Sequence, residues 1–124
     1  GAATLATIRG PYGLAVDAFD NVYISDIGNT RVRRVSADGT IDTVAGNGFG
    51  AYGGEGLEAT ATSITGAFNL AFDPEDRLFF SARGENRIRV VEKDGILATS
   101  LDALNGPRAL AFDTDGNPAA VAFT

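Results

Sequence analysis

The chain has 124 residues, 44% of them apolar, a net charge of −6, and neither cysteine nor histidine. Its length suits one unit with a modest core, no stretch is long and apolar enough to span a bilayer as a helix, and the acidic balance argues against a general polyanion binder. Without cysteine or histidine there are no disulfides, none of the usual zinc ligands, no thiol nucleophile and no imidazole base, so no cofactor is expected. In chain order, short apolar runs predict strands near 3–9, 13–17, 21–25, 31–36, 40–45, 69–73, 77–81, 87–92, 96–101, 109–113 and 118–123. A single turn of helix is expected within 55–63. Asp-Gly at 38–39 and again at 94–95 marks hairpins, because such turns need a positive φ that glycine adopts without strain.

These runs belong to an internal repeat. Residues 10–45 align without a gap on 66–101 at a constant offset of 56, with Leu14/Leu70, Asp17/Asp73, Ser25/Ser81, Arg31/Arg87, Arg33/Arg89 and Gly39/Gly95 among the identities. A third copy opens at Gly106, where Leu110-Ala111-Phe112-Asp113 repeats Leu70 to Asp73 at an offset of 40. Residues 4–10 match 40–46 at an offset of 36, which predicts that 3–9 is the last strand of a preceding unit. Four strands per unit, joined by tight turns and repeated at about 40 residues, is the pattern of propeller blades.

Pro11-x-Gly13-Leu14-Ala15-Val16-Asp17, then Asn21-Val-Tyr-Ile-Ser-Asp26-x-Gly-Asn29, Arg31-Val-Arg-Arg-Val35 with Asp38-Gly39, and Thr43-Val-Ala-Gly-Asn-Gly48 follow in series. In that order they resemble the NHL repeat of bacterial β-propellers, and the likeness covers nearly the whole chain, including the glycine-rich connector 46–66. The resemblance implies an all-β fold of tandem four-stranded antiparallel blades, with a blade at 10–45, a connecting loop at 46–65, a second blade at 66–101 and a partial blade at 106–124. Ala82 for Asp26, Glu85 for Asn29 and Asn69 for Gly13 depart from the first unit and read as decay of the repeat. Packing of sheet faces predicts a core of Leu14, Val16, Val22, Ile24, Val32, Val35, Leu70, Phe72, Leu78, Phe80, Ile88, Val91, Leu110 and Phe112.

In such a propeller the fourth-to-first and second-to-third strand connections emerge on one face, conventionally the binding face. The 16-residue difference between the two offsets is an insertion into one of those connections, and it carries Phe49, Tyr52, Glu55 and Glu58. Tyr52 there is either part of a ligand surface or, with Leu57, a plug folded over the propeller top. The candidate ligand-binding residues of these loops are Tyr12, Asp26, Asn29, Tyr52, Arg83 and Arg108. The glycines of 46–50 lack the strand-to-helix context and the following lysine of a phosphate cradle. Arg31, Arg33 and Arg34 form the densest basic cluster, but alternate residues of a strand share a face and pair with acids on adjacent strands, so nucleic-acid binding is not the expectation. Asp17, Asp73 and Asp113 recur after the first strand of every unit, which points to carboxylates that accept turn N–H groups rather than to a metal or an acid–base pair.

The functional expectation is a non-catalytic binding or assembly module. Two and a half units cannot close a ring, so the open blade edges are expected to pair with another copy, giving an oligomer or filament, or with the remainder of a longer propeller. The alternative is a fragment of a six-bladed NHL-type lyase or hydrolase; without histidine, its site would need carboxylates, Tyr12, Arg9, Arg108 or residues of other blades. The chain begins at Gly1 and has no methionine and no leader, which fits a mature exported or surface protein or a segment of a longer one.

Overall fold

A computed structural model describes the chain except Asn105, Phe123 and Thr124, together with the side chains of Phe68, Arg108, Ala109 and residues 119–122. The strands are β1 (Pro11–Val16), β2 (Val22–Asp26), β3 (Arg31–Val35), β4 (Ile41–Ala45), β5 (Leu57–Glu58), β6 (Ala67–Phe72), β7 (Leu78–Ala82), β8 (Arg87–Val91), β9 (Ile96–Leu101), β10 (Pro107–Phe112) and β11 (Pro118–Ala122). Strands β1 to β4 form one antiparallel meander, blade 1. Strands β6 to β9 form blade 2, with β5 added at the outer edge of β9, and β10 with β11 opens a third sheet.

Two hairpin devices recur at the same offset as the sequence. Between first and second strands, the Asp17 carboxylate accepts the N–H groups of Phe19 and Asn21 at 2.8 and 3.0 Å, while Asp20 takes the left-handed conformation at φ 65°. Asp73 does the same for Glu75 and Arg77, with Asp76 at φ 63°, and Asp113 for Asp115 and Asn117, with Gly116 at φ 84°. The turn role expected of these aspartates is what the structure shows. Between third and fourth strands, Gly39 and Gly95 both sit at φ 86°, closing loops in which Ser36 and Glu92 receive the glycine N–H. A side chain at that φ would be strained.

Strand register fixes which residues share a face. Leu14, Ile24, Arg33 and Thr43 lie in one cross-strand row, and Ala15, Tyr23, Arg34 and Asp42 in the row on the opposite face. In blade 2 the matching rows are Leu70, Phe80, Arg89, Thr99 and Ala71, Phe79, Val90, Ala98. The core therefore forms between sheets. Tyr23, Val32 and Ala45 of blade 1 pack on Leu70, Leu78, Phe80 and Leu97 of blade 2, with the Tyr23 and Phe72 rings edge to face at 4.8 Å. Behind blade 2, Phe79, Ile88 and Val90 pack on Leu110 and Phe112 of the third sheet, and Phe79 meets Phe112 at 5.1 Å.

Two expectations need correction. Residues 3–9 are not a strand: Ala3–Leu5 is a 3₁₀ turn, and Gly1 to Ala3 lie along the outer edge of β4 through the Ala2–Thr40 bridge and the Ala3 N–H to Gly39 carbonyl bond at 2.8 Å. Residues 57–61 repeat this arrangement on β9, where Ala59 N–H donates to the Gly95 carbonyl at 2.9 Å and Ala59–Ala61 is the matching turn. The N-terminal segment therefore repeats the tail of the connector. The offset of 56 runs through it, with Ala3/Ala59, Thr4/Thr60, Ile8/Ile64 and Gly10/Gly66 identical.

Leu14 and Val16, expected in the core, are 67% and 57% exposed, whereas Leu70 at the position of Leu14 is 4% exposed. The difference is the neighbour: blade 1 covers that face of blade 2, and nothing among the described residues covers it on blade 1.

Asp73 is the more buried of the turn carboxylates and also holds the Arg77 guanidinium at 2.8 Å. Asp73→Ala is expected to lower stability by about 1–3 kcal/mol, because two turn N–H groups and a guanidinium lose their acceptor. Denaturant unfolding would check it, with Asp38→Ala at an exposed turn as the small-effect control.

Candidate functional site

Connections between second and third strands emerge at the same end of the blades as connector 46–66, and this end carries most of the sequence candidates. Each second-to-third connection is a 3₁₀ turn, Ile27–Asn29 in blade 1 and Arg83–Glu85 in blade 2, followed by a left-handed residue, Thr30 or Asn86. A carboxylate node lies beneath each. In blade 1 the fully buried Asp26 accepts the Arg9 N–H at 2.8 Å and the Asn29 amide at 2.8 Å, and stands 3.6 Å from Arg33 Nη1. In blade 2 position 82 is alanine, and Glu85 performs both tasks: it accepts the Thr65 N–H at 2.9 Å and holds Arg89 Nη1 at 2.6 Å, both side chains being wholly buried.

Arg9 and Thr65 are equivalent positions at the entry to strands β1 and β6. Each node thus ties the third-strand arginine to the backbone entering the first strand. The Asp26/Asn29 to Ala82/Glu85 change, read from sequence as decay, is a transfer of the carboxylate from the end of the second strand to the turn beyond it. Asp26 and Asn29 belong to this node and have little left to offer a ligand.

The connector completes the node of blade 2. Arg89 Nη2 donates to the Gly54 carbonyl at 2.8 Å and stands 3.2 Å from Glu55, while its Nε donates to the Ala98 carbonyl at 3.2 Å. Tyr52 lies with its ring 4.3 Å from the Arg87 guanidinium and 5.3 Å from that of Arg89, and its hydroxyl donates to Glu55 at 2.7 Å. Sequence reasoning singled out Tyr52 as a candidate and noted Glu55 in the same loop and the repeated Arg87 and Arg89, but not that these meet Glu85 in one cluster. The signal that could have found it was the paired departure at 82 and 85 set beside the retained arginine at 33 and 89.

Burial raises the Glu55 pKa, but the Tyr52 hydroxyl, Thr99, Arg89 and Arg87 outweigh it and hold the carboxyl below the ordinary glutamate range. The Tyr52 hydroxyl is pushed up, first by its bond to Glu55 and then by desolvation and the Glu55 charge. Close approach fixes the loop's path, since a Cβ on Gly53 would stand 2.6 Å from the Ser63 carbonyl oxygen. Neither expectation for the loop describes it fully: Tyr52 and Leu57 are 44% and 50% exposed, and the residues that plug the seam between blades are Ala59, Thr62 and Ile64.

The other candidates scatter. Tyr12 is on β1, 61% exposed beside Leu14 and Val16 rather than in a top loop. Arg83 lies in the blade 2 turn, and Arg108 in β10 with its side chain outside the described residues. At the opposite end, a cavity of about 350 Å³ opens between blades 1 and 2, floored by Val44, Phe72, Leu78 and Val91 and rimmed by Arg34, Glu58 and other charged groups. Among the described residues no group of three or more acidic side chains is placed to hold a metal ion.

Two outcomes follow. Glu85→Ala should cost about 3–5 kcal/mol in denaturant unfolding, because it leaves a buried guanidinium without its shortest partner. Glu55, whose folded pKa is depressed, contributes stability that is complete above its unfolded value of 4.5 and is lost as pH falls through the folded value. Glu55→Gln should therefore lower the melting temperature at neutral pH and flatten its fall below pH 4.5, as pH-dependent thermal melts would show.

No protein-family profile matches the chain, and no curated protein sequence does. Solved structures do. A protein of unknown function from Bacteroides thetaiotaomicron superposes with a TM-score of 0.77 at 17% identity, over 90% of this chain and 32% of that one. A catalytically inactive virginiamycin B lyase from Staphylococcus aureus with quinupristin gives 0.72 at 16% identity, over 95% and 36%. A gluconolactonase from Xanthomonas campestris gives 0.64 at 26% identity, over 89% and 34%. The chain thus spans about a third of the length of the structures it resembles, and its two sheets and the start of a third are part of a β-propeller.

Proposed function

We propose that the chain is an NHL-type propeller segment that serves as a non-catalytic binding or assembly module, joined to further blades through the open face of blade 1. The observation that carries this reading is the contrast between equivalent residues: Leu14 and Val16 stand in solvent where Leu70 and Phe72 are packed against a neighbouring sheet. Burying such side chains is worth roughly 1.5–3 kcal/mol each, so the face favours a partner. Charge groups near the connector are already paired in buried nodes, which supports a scaffolding role for that end.

Edge pairing in the form expected from sequence, with residues 3–9 as a free strand, has no support, because Gly1 to Ala3 are bonded along β4. Face-to-face stacking replaces it in this proposal. The enzyme-fragment reading draws on the likeness to a lyase and a gluconolactonase, and it places the reacting groups in blades beyond this chain. At the present identities that likeness speaks for the fold.

Light scattering across a concentration series tests the proposal. The chain is expected to associate at micromolar concentration, and Leu14→Glu, which puts a charge on the open face, is expected to return it to a folded monomer. A wild-type chain that stays monomeric with a freely exchanging β1 would overturn it.

A further inference from the structure

The two blades differ in how fully the third-strand arginine is held. Arg89 uses all three of its nitrogens: Nε on the Ala98 carbonyl, Nη1 on Glu85, and Nη2 on Gly54 and Glu55 of the connector. Its side chain is 0% exposed. Arg33, at the same register position, stands 3.6 Å from Asp26 through Nη1, remains 18% exposed, and has a buried Nε with no hydrogen-bond partner among the described residues. A buried N–H of a charged group without an acceptor is costly, so the site favours a further acceptor.

We propose that Arg33 is the receiving half of an inter-blade clasp, and that the open face of blade 1 is recognised by another blade of this same repeat whose glycine-rich connector delivers a carboxylate to Arg33 and an aromatic ring to Arg31. The proposal rests on the reading of that face as an assembly surface and names its occupant. Blade 1 with residues 46–58 is seated on the equivalent face of blade 2, and there Glu55 meets Arg89 while Tyr52 lies over Arg87. Arg31 and Arg33 occupy the positions of Arg87 and Arg89, and Leu14 and Val16 those of Leu70 and Phe72. The edge of β4 already carries Gly1 and Ala2 where β9 carries Leu57 and Glu58, so the outer part of the seat is built. A carboxylate arriving at Nη2 would draw the guanidinium into the pose of Arg89, from which Nε reaches the Asp42 carbonyl as Arg89 Nε reaches that of Ala98. An apolar partner without the carboxylate would cover Leu14 and leave the guanidinium no better held.

The offset supplies the test. Residues 1–56 are duplicated ahead of Gly1, which places the added Glu55 two positions before Gly1, as the native Glu55 precedes Leu57. In this tandem chain the Leu14 amide and the Arg33 Nε–H are expected to exchange with solvent about tenfold or more slowly than in the 124-residue chain, read by NMR. Glu→Gln at the added Glu55 should release Arg33 Nε–H while Leu14 stays covered. If Leu14 is covered and Arg33 exchanges equally with Glu or Gln, the clasp is wrong although the assembly reading stands. If Leu14 remains open in a folded tandem chain while the single chain still associates, the occupant is not a blade. A second comparison needs no duplication: in the 124-residue chain, Arg89→Gln should lower the melting temperature far more than Arg33→Gln, and equal losses would show Arg33 to be satisfied already and overturn the clasp.

Discussion

A guanidinium on the third strand of each blade, wholly buried between sheets at Arg89 and largely buried on the open face of blade 1 at Arg33, sets the terms for the rest of this structure. A buried charge must meet an opposite charge and fill its hydrogen bonds, or the sheet carrying it is destabilised by several kcal/mol. Each blade answers with one carboxylate at its upper end, Asp26 or Glu85, and the same carboxylate accepts the backbone N–H that leads into the first strand. One group therefore couples the middle of a sheet to the path of the incoming chain. The second-to-third strand turn, the entry segment and the connector are arranged around it.

The connector is more than a link between blades. Its second half adds a strand to β9 and places Ala59 and Ile64 in the seam with blade 1, so the two sheets share a wall contributed by neither. The residues just before that half contribute Tyr52, Gly54 and Glu55 to the arginines of blade 2. Local opening of this loop would expose Arg89 as well as the seam, which makes loop order and blade packing parts of one cooperative unit.

Much of the fold was legible because turn chemistry and alternation are local. Asp-Gly in the third-to-fourth strand hairpins and the aspartate after each first strand mark the same bends in space that they mark in sequence. Residues 1–10 were misread because seven residues with three matches at an offset of 36 look like a strand, while the competing offset of 56 places them beside β4 as a connector tail. Period-2 patterning reports that Leu14 and Val16 share an apolar face but not whether a neighbour covers it. Of the candidate site, Tyr52 was visible as an aromatic residue in an inserted loop, whereas the Glu85–Arg89 pair, local as it is at a spacing of four, takes its role from the Thr65 N–H and the connector groups that reach it from distant segments. Asp26 and Asn29 were found as a pair, and their role turned on the arginine and the backbone N–H that reach them from elsewhere.

The relocation of the carboxylate between blades has a consequence for how such repeats diverge. Asp26 with Asn29 and Ala82 with Glu85 are two solutions of the same node, and they differ at two positions. A route from one to the other by single substitutions passes through a node with two carboxylates or with none. The empty intermediate strands a buried guanidinium; the doubled one crowds two anions around a cation that can be shared between them. Gain of the second acid before loss of the first is the less damaging order, so sister blades holding both acids at these two positions would be the fossil of the passage.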